Sequence, residues 1–389
     1  MDSMRFKGMG AALACALLAF GCGSDGKSST ASPQSGTGGS GAGGETGSGG
    51  SGTDANASKN GADGCPVKSG FPGDERCLPK PADSSHLLLH FGPSDYDDPA
   101  EVALYTVQPG DEIDKCFFTK LPITEDFVYG KRHGSMRPGS HHFIARAMAG
   151  LDVPTGFADC NGADGIGNAD DIGTFQVPDY VYPPDAPDYA GLANTIQAGR
   201  QGMLNGHFIN TTDSPTLAES WLEYEAMDPS EVTGSTSAVS LTGGVGMRIA
   251  PHTQTTLHFS CSPTVETRVL SLQSHMHAHG TRMTAWKVSG GVKTMIYEGF
   301  DWREPAGFNF DSVSQNPTPD ETAKKPGAVS GPLVVKPAES IEWECAIDNT
   351  SDVTLTFRNQ VNTGEMCILG GIAMNPAGGD STPFSCVRN

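Results

Sequence analysis

The chain has 389 residues, more than one ordinary domain needs, and a formal net charge of −20. That charge excludes the attraction to phosphate on which nucleic-acid binding rests. Its ten cysteines contain no CxxC pair, which argues against a thiolate zinc site or a thioredoxin-like motif.

In chain order, residues 1–21 read as a secretory signal. Arg5 and Lys7 precede an apolar run, residues 9–20, that is too short to span a bilayer. Gly21 followed by Cys22 matches a bacterial lipoprotein cleavage point, although Ala19 stands where the usual motif has Leu. Cys22 is then the predicted lipidation site. The expected location is a membrane-anchored lipoprotein of the bacterial cell envelope, at the outer membrane or the periplasmic face. Residues 22–64 form a Gly/Ser/Thr-rich segment, and from Gly23 to Gly64 it has no Val, Ile, Leu, Met or aromatic residue. Such a composition cannot bury a core and predicts a flexible tether.

From residue 65 onward, short alternating stretches such as Thr255-Thr256-Leu257-His258-Phe259 are punctuated by Pro, Gly, Asn and Asp. No long apolar run of helical period appears. The pattern predicts an all-β chain built as two tandem antiparallel β-sandwich (jelly-roll) domains, 65–228 and 235–389. Eight cysteines lie in this part: Cys65, Cys77, Cys116, Cys160, Cys261, Cys345, Cys367 and Cys386. An even number in an exported chain predicts four disulfides and leaves their pairing open.

Two histidine groups stand out among the eleven histidines. Residues 271–280 read SLQSHMHAHG, with His275, His277 and His279 at alternate positions. In a strand all three would share one face. Farther upstream, His141 and His142 are adjacent. Successive strand residues face opposite ways, so this pair can serve one ion only at a bend or a strand end. Near the C-terminus, NTGEMCILGG (362–371) places Met366 beside Cys367. A lone Met is ordinarily core packing, but a thioether joined to imidazoles favours copper over zinc or hard cations.

HxH followed by Gly280, a distant Glu-Met-Cys and an upstream His-His pair together resemble the copper type II, ascorbate-dependent monooxygenases. That family includes peptidylglycine alpha-hydroxylating monooxygenase and dopamine beta-hydroxylase. Leu204, His207 and Phe208 in LNGHFINTT match its Leu-x-x-His-aromatic motif. The resemblance implies two copper ions, one held by His141, His142 and His207 and the other by His275, His277 and Met366, with the last three as the catalytic set. It implies sites that face each other across a solvent-filled cleft. It also implies hydroxylation of an sp³ C–H bond using O₂, with ascorbate or another one-electron reductant. The disulfides it implies are Cys116–Cys160, Cys345–Cys367 and Cys261–Cys386, with Cys65–Cys77 left by exclusion.

The substrate does not carry over. Peptide-amidating members grip a carboxylate with an arginine two positions before HxH, where this chain has Gln273. Their Asn and Tyr after the EMC cysteine correspond to Ile368 and Gly370. An amide cannot replace a guanidinium fork, so the expected partner is a different small organic molecule. A non-catalytic copper-binding or electron-transfer protein is the competing expectation. A zinc hydrolase is a weaker one, since it leaves Met366 unused. His86, His90, His133, His252 and His258 read as surface or turn residues. The Asp/Gly-rich stretch 159–171 fails the EF-hand spacing and reads as a solvated loop.

Overall fold

The computed structural model describes residues 68–150, 153–158, 160, 169–314, 316, 332–375 and 384–387. The signal, the tether, Cys22 and Cys65 lie outside the described residues, as does most of the 159–171 stretch.

Alternation of burial builds the strands. His86–Phe91 alternates half-buried and buried residues throughout, and so does Ser340–Asn349. Each strand thus has one dry and one wetter face. One five-stranded sheet runs 86–91, 220–226, 127–136, 179–182, with 194–196 also paired to 127–136. A second runs 156–158, 112–120, 201–209, 140–148, 169–175. Leu87, Leu89 and Phe91 of the first sheet share a core with Phe143, Ala145, Leu204 and Phe208 of the second. A third sheet runs 236–243, 367–374, 267–275, 307–309, with 333–335 also paired to 267–275, and a fourth runs 292–299, 280–289, 340–349, 253–263, 384–387. Val239, Val269 and Leu272 there share a second core with Met283, Ile341 and Trp343. A two-stranded and a three-stranded sheet complete the described pairing.

The expectation of two tandem jelly-roll sandwich domains is corrected by this arrangement. Of the described residues, 54% are in strands and 6% in helices. Its described residues all fall within one compact unit, Ser58–Asn389. Their strands are spread over six sheets in an order that is not the eight-stranded double Greek key of a jelly roll. The physical reason is that alternation specifies a strand's buried face but not its neighbours. Pairings such as 267–275 with 367–374 are long-range, and no local pattern announces them.

Two disulfides are fully described, Cys116–Cys160 and Cys345–Cys367. Cys77 and Cys261 are also disulfide-bonded. Cys261 stands opposite Cys386 in strand register. The side chain of Cys386, like Cys65, lies outside what is described.

Candidate metal centre

The strand Gln201–Ile209 is buried almost throughout because both its faces are covered. Leu204 and Phe208 point into the first core, and a Cβ at Gly206 would lie 2.5 Å from the Phe91 ring. Met203 and Asn205, on the opposite face, line the cavity described below. His207 lies on that face too, by strand alternation. The motif LNGHF thus encodes a core face and a site face on one strand.

His207 pairs in register with His142 of the neighbouring strand, Ser140–Met148. The next pair is Phe208 with Ser140, so the register skips His141. This bulge turns His141 toward the same site as His142, against the usual alternation. The two ring centroids lie 5.1 Å apart, and His141 is also 5.1 Å from His207.

In SLQSHMHAHG the strand ends at His275. Met276 is fully buried in the second core, and the chain then turns, with Gly280 N donating to His277 O at 2.9 Å. The His275 and His277 rings are 5.3 Å apart. His279 does not join them. Its Nε2 lies 3.1 Å from the Asn362 carbonyl. The expectation of three histidines on one strand face fails because the strand stops before the second of them.

The two ligand sets are not separated by a cleft. His141 lies 4.9 Å from His275 and 5.2 Å from His277, centroid to centroid. Ligand atoms of His141, His142 and His275 all fall within 4.8 Å of one another. Met366, 8% exposed, lines the same cavity as His142 and His275. The structure therefore brings all six sequence-predicted ligands to one region, with the five histidines in a single cluster.

Four polar residues that the sequence reading did not assign hold this cluster. The Glu112 carboxylate accepts from His207 Nε2 at 2.7 Å and from the Val361 backbone N–H at 2.8 Å. Asn205 Oδ1 accepts from His142 Nε2 at 3.2 Å, and its Nδ2 donates to Asp114 Oδ1 at 2.6 Å. These contacts place the ring protons of His142 and His207 on Nε2 and leave each Nδ1 lone pair unused. Glu365, fully buried, accepts from the backbone N–H groups of His277 (2.6 Å), Met366 (2.8 Å) and His279 (3.2 Å). Burial pushes its carboxyl up to about 7, against the pull of those donors. The Glu of EMC was visible in the sequence, but its role depends on a turn far away in the chain.

His142 and His275 keep some surface open to the cavity, yet they lie deep enough for burial to dominate their titration. Burial first, then neighbouring imidazoles, holds His141 and His275 well below the ordinary histidine range. The same causes bring His142 and His277 down to about 3. These four rings are therefore neutral at ordinary pH, the form that ligates metals. Both ring nitrogens of His141, and Nδ1 of His142 and His207, are buried with no hydrogen-bond partner, and the buried His277 ring meets only the Gly364 backbone. An unpaired buried polar atom costs about 1–3 kcal/mol. Several in one cluster, with a thioether in the adjoining cavity, fit a soft or borderline metal such as copper.

No family model and no curated protein matches this chain. Among solved structures, a tail fiber protein from an E. coli phage is 8% identical, with a TM-score of 0.20. That match covers 70% of this chain and 39% of the phage chain, and at this similarity it carries no argument about fold or activity.

Proposed function

We propose that this chain is an exported copper-dependent monooxygenase that hydroxylates a C–H bond of a small organic substrate, with O₂ and an ascorbate-like reductant. The observation that carries the reading is a cluster of five histidines, several with unpartnered buried nitrogens, that reaches through His142 and His275 a cavity also lined by Met366. Copper bound there would supply a one-electron redox couple and a coordination site for O₂. The chain's own residues do the rest. Burial keeps the imidazoles neutral and available. Glu112 and Asn205 hold Nε2 of His207 and His142 and leave Nδ1 free, so Nδ1 would face a bound ion. Glu365 sets the turn that carries His277. The cavity, about 520 Å³, has room for a small substrate beside His142, His275 and Met366. Gln273, Ile368 and Gly370 also line it, and none presents a charge, which supports a substrate other than a peptidylglycine held at those positions.

The test is a copper count on the purified full chain. Two ions per chain with ascorbate-dependent O₂ uptake support the reading, whereas one ion per chain or a preference for zinc overturns the two-copper form. A second reading, copper capture or electron transfer without turnover, is favoured by one observation. His141, His142 and His275 come close enough to share a single ion although they belong to different expected sets. One copper per chain, with no substrate-dependent O₂ uptake, selects it. We also propose anchoring through a lipid on Cys22, tested by labelled palmitate incorporation that a Cys22→Ser change abolishes. No helix among the described residues is long and apolar enough to cross a membrane.

A further inference from the structure

The 520 Å³ cavity is lined at one place by His142, His275 and Met366 and elsewhere by Arg132 and Gln176. Arg132, on the strand Phe127–Met136, is 8% exposed and Gln176 is 6% exposed. Arg132 Nη1 donates to the Ile172 carbonyl at 3.1 Å, and its guanidinium lies 5.1 Å from the Tyr182 ring centre and 5.9 Å from that of Tyr180. Its Nε is buried with no acceptor, as is Gln176 Nε2. Among the described residues no carboxylate forms an ion pair with Arg132. Its side chain also hydrogen-bonds those of Tyr129 and Tyr180, and Asp171 acts on it at longer range.

The cavity's acidic groups are in the opposite condition. Asp114 accepts from Asn205 Nδ2 at 2.6 Å and from Asn359 Nδ2 at 3.3 Å. Asp171 accepts from Thr174 Oγ1 at 2.8 Å, and Asp179 lies 2.8 Å from His133 Nε2. The acceptors are thus satisfied within the protein, while two donor atoms, Arg132 Nε and Gln176 Nε2, are not. A buried donor without an acceptor is uncommon and costly. Both donors are relieved by a ligand carboxylate, which accepts from a guanidinium in a charge-assisted bond. Ile144, Met203, Leu272 and Ile368 line the same cavity and offer an apolar bed for the rest of such a molecule.

We propose that this cavity binds a small organic acid, with Arg132 and Gln176 gripping its carboxylate and its apolar body lying toward the histidine cluster. This deepens the monooxygenase reading by naming a substrate class, and it rests on that reading only in calling the bound acid a substrate. The carboxylate grip missing at Gln273 is supplied here from a different strand and another part of the cavity's lining.

The experiment is calorimetric titration of the full chain, copper-free and copper-loaded, with 4-phenylbutyrate, 4-phenylbutyramide and 4-phenylbutanol. In the copper-free chain the acid should bind at least about 10-fold more tightly than the amide or the alcohol. Arg132→Gln should weaken the acid about 10- to 100-fold and leave the alcohol unchanged. Equal binding of all three, binding of none, or an unchanged acid preference in Arg132→Gln overturns the proposal. If Arg132→Gln does not fold, Gln176→Leu replaces it. A several-fold loss for the acid alone is then expected, and no loss overturns the proposal. Because the copper-free titration needs no metal, a chain that binds the acid but no copper sinks the monooxygenase reading alone.

Discussion

The two halves of the histidine cluster are held by opposite means. His142 and His207 sit on paired strands inside a sheet, and side chains fix their rings, Asn205 for one and Glu112 for the other. His277 sits on a turn, its ring meets no side-chain partner and only the Gly364 backbone, and its position is set through the backbone by one carboxylate, Glu365. The first half is therefore pre-organised ring by ring. The second is pre-organised as a loop, leaving its imidazole and the neighbouring thioether freer to adjust to an ion. Under the proposed reading, the first half would hold an electron and the second would change its ligation.

The sharpest break of the comparison is Glu365→Ala. It strands two buried backbone N–H groups, of His277 and Met366, at about 1–3 kcal/mol each and a half-buried one of His279, so the chain should lose several kcal/mol in denaturant unfolding. In whatever folded fraction remains, copper should be lost from the His275/His277/Met366 set first. Loss from both sets in parallel would show that the turn is not independently supported. Glu112→Gln comes next. Weakening the carboxylate behind a ligand histidine typically costs about 10- to 100-fold in metal affinity, and chelator competition should show that loss at the His141/His142/His207 set. Glu112 also holds the Val361 N–H, so a loss at the second set as well would mean that the two halves communicate through that bond.

How much of this was legible in the sequence follows from the same contrast. HxH, His-His, LNGHF and EMC are local patterns, and the structure brings their six residues to one region because strand alternation and the 140–148/201–209 register deliver them there. The skipped register at His141 was not legible, since a bulge is a property of two paired strands and only one of them is in view in GSHHFIARA. Nor was the end of the strand at His275. Alternation of His, Met, His and Ala looks like a continuing strand, and only the buried Met276 and the carboxylate of Glu365 reveal the turn. The proximity of the two sets depends on Glu112 and Asp114 meeting Val361 and Asn359, contacts between parts of the chain too distant for any motif to join. The sheet order was out of reach for the same reason, and the jelly-roll expectation failed there.

Met366→Ile sharpens the comparison with a smaller effect on the fold. Isoleucine is close in volume and equally apolar, so the cost in stability should stay below about 1.5 kcal/mol. The thioether is lost, so Cu(I) retention by the second set should fall while the first set keeps its ion, read by metal analysis after reduction and dialysis. An equal fall at both sets would mean that the clustered histidines share their ions and that the two halves are one site.

The smallest effect is expected at His279, the residue that sequence alternation could not separate from its neighbours. Its ring lies against the Asn362 carbonyl, outside the cluster, and what it gives Glu365 is a backbone N–H that any side chain retains. His279→Ala therefore removes one partly exposed hydrogen bond, a loss of about 0.5–1.5 kcal/mol at most. The copper count should stay unchanged, as should the X-ray absorption signature of imidazole ligation. A lost ion would place His279 among the ligands. The turn would then have to reverse its direction after Met276, and the backbone bonds from His277 and His279 to Glu365 could not both persist.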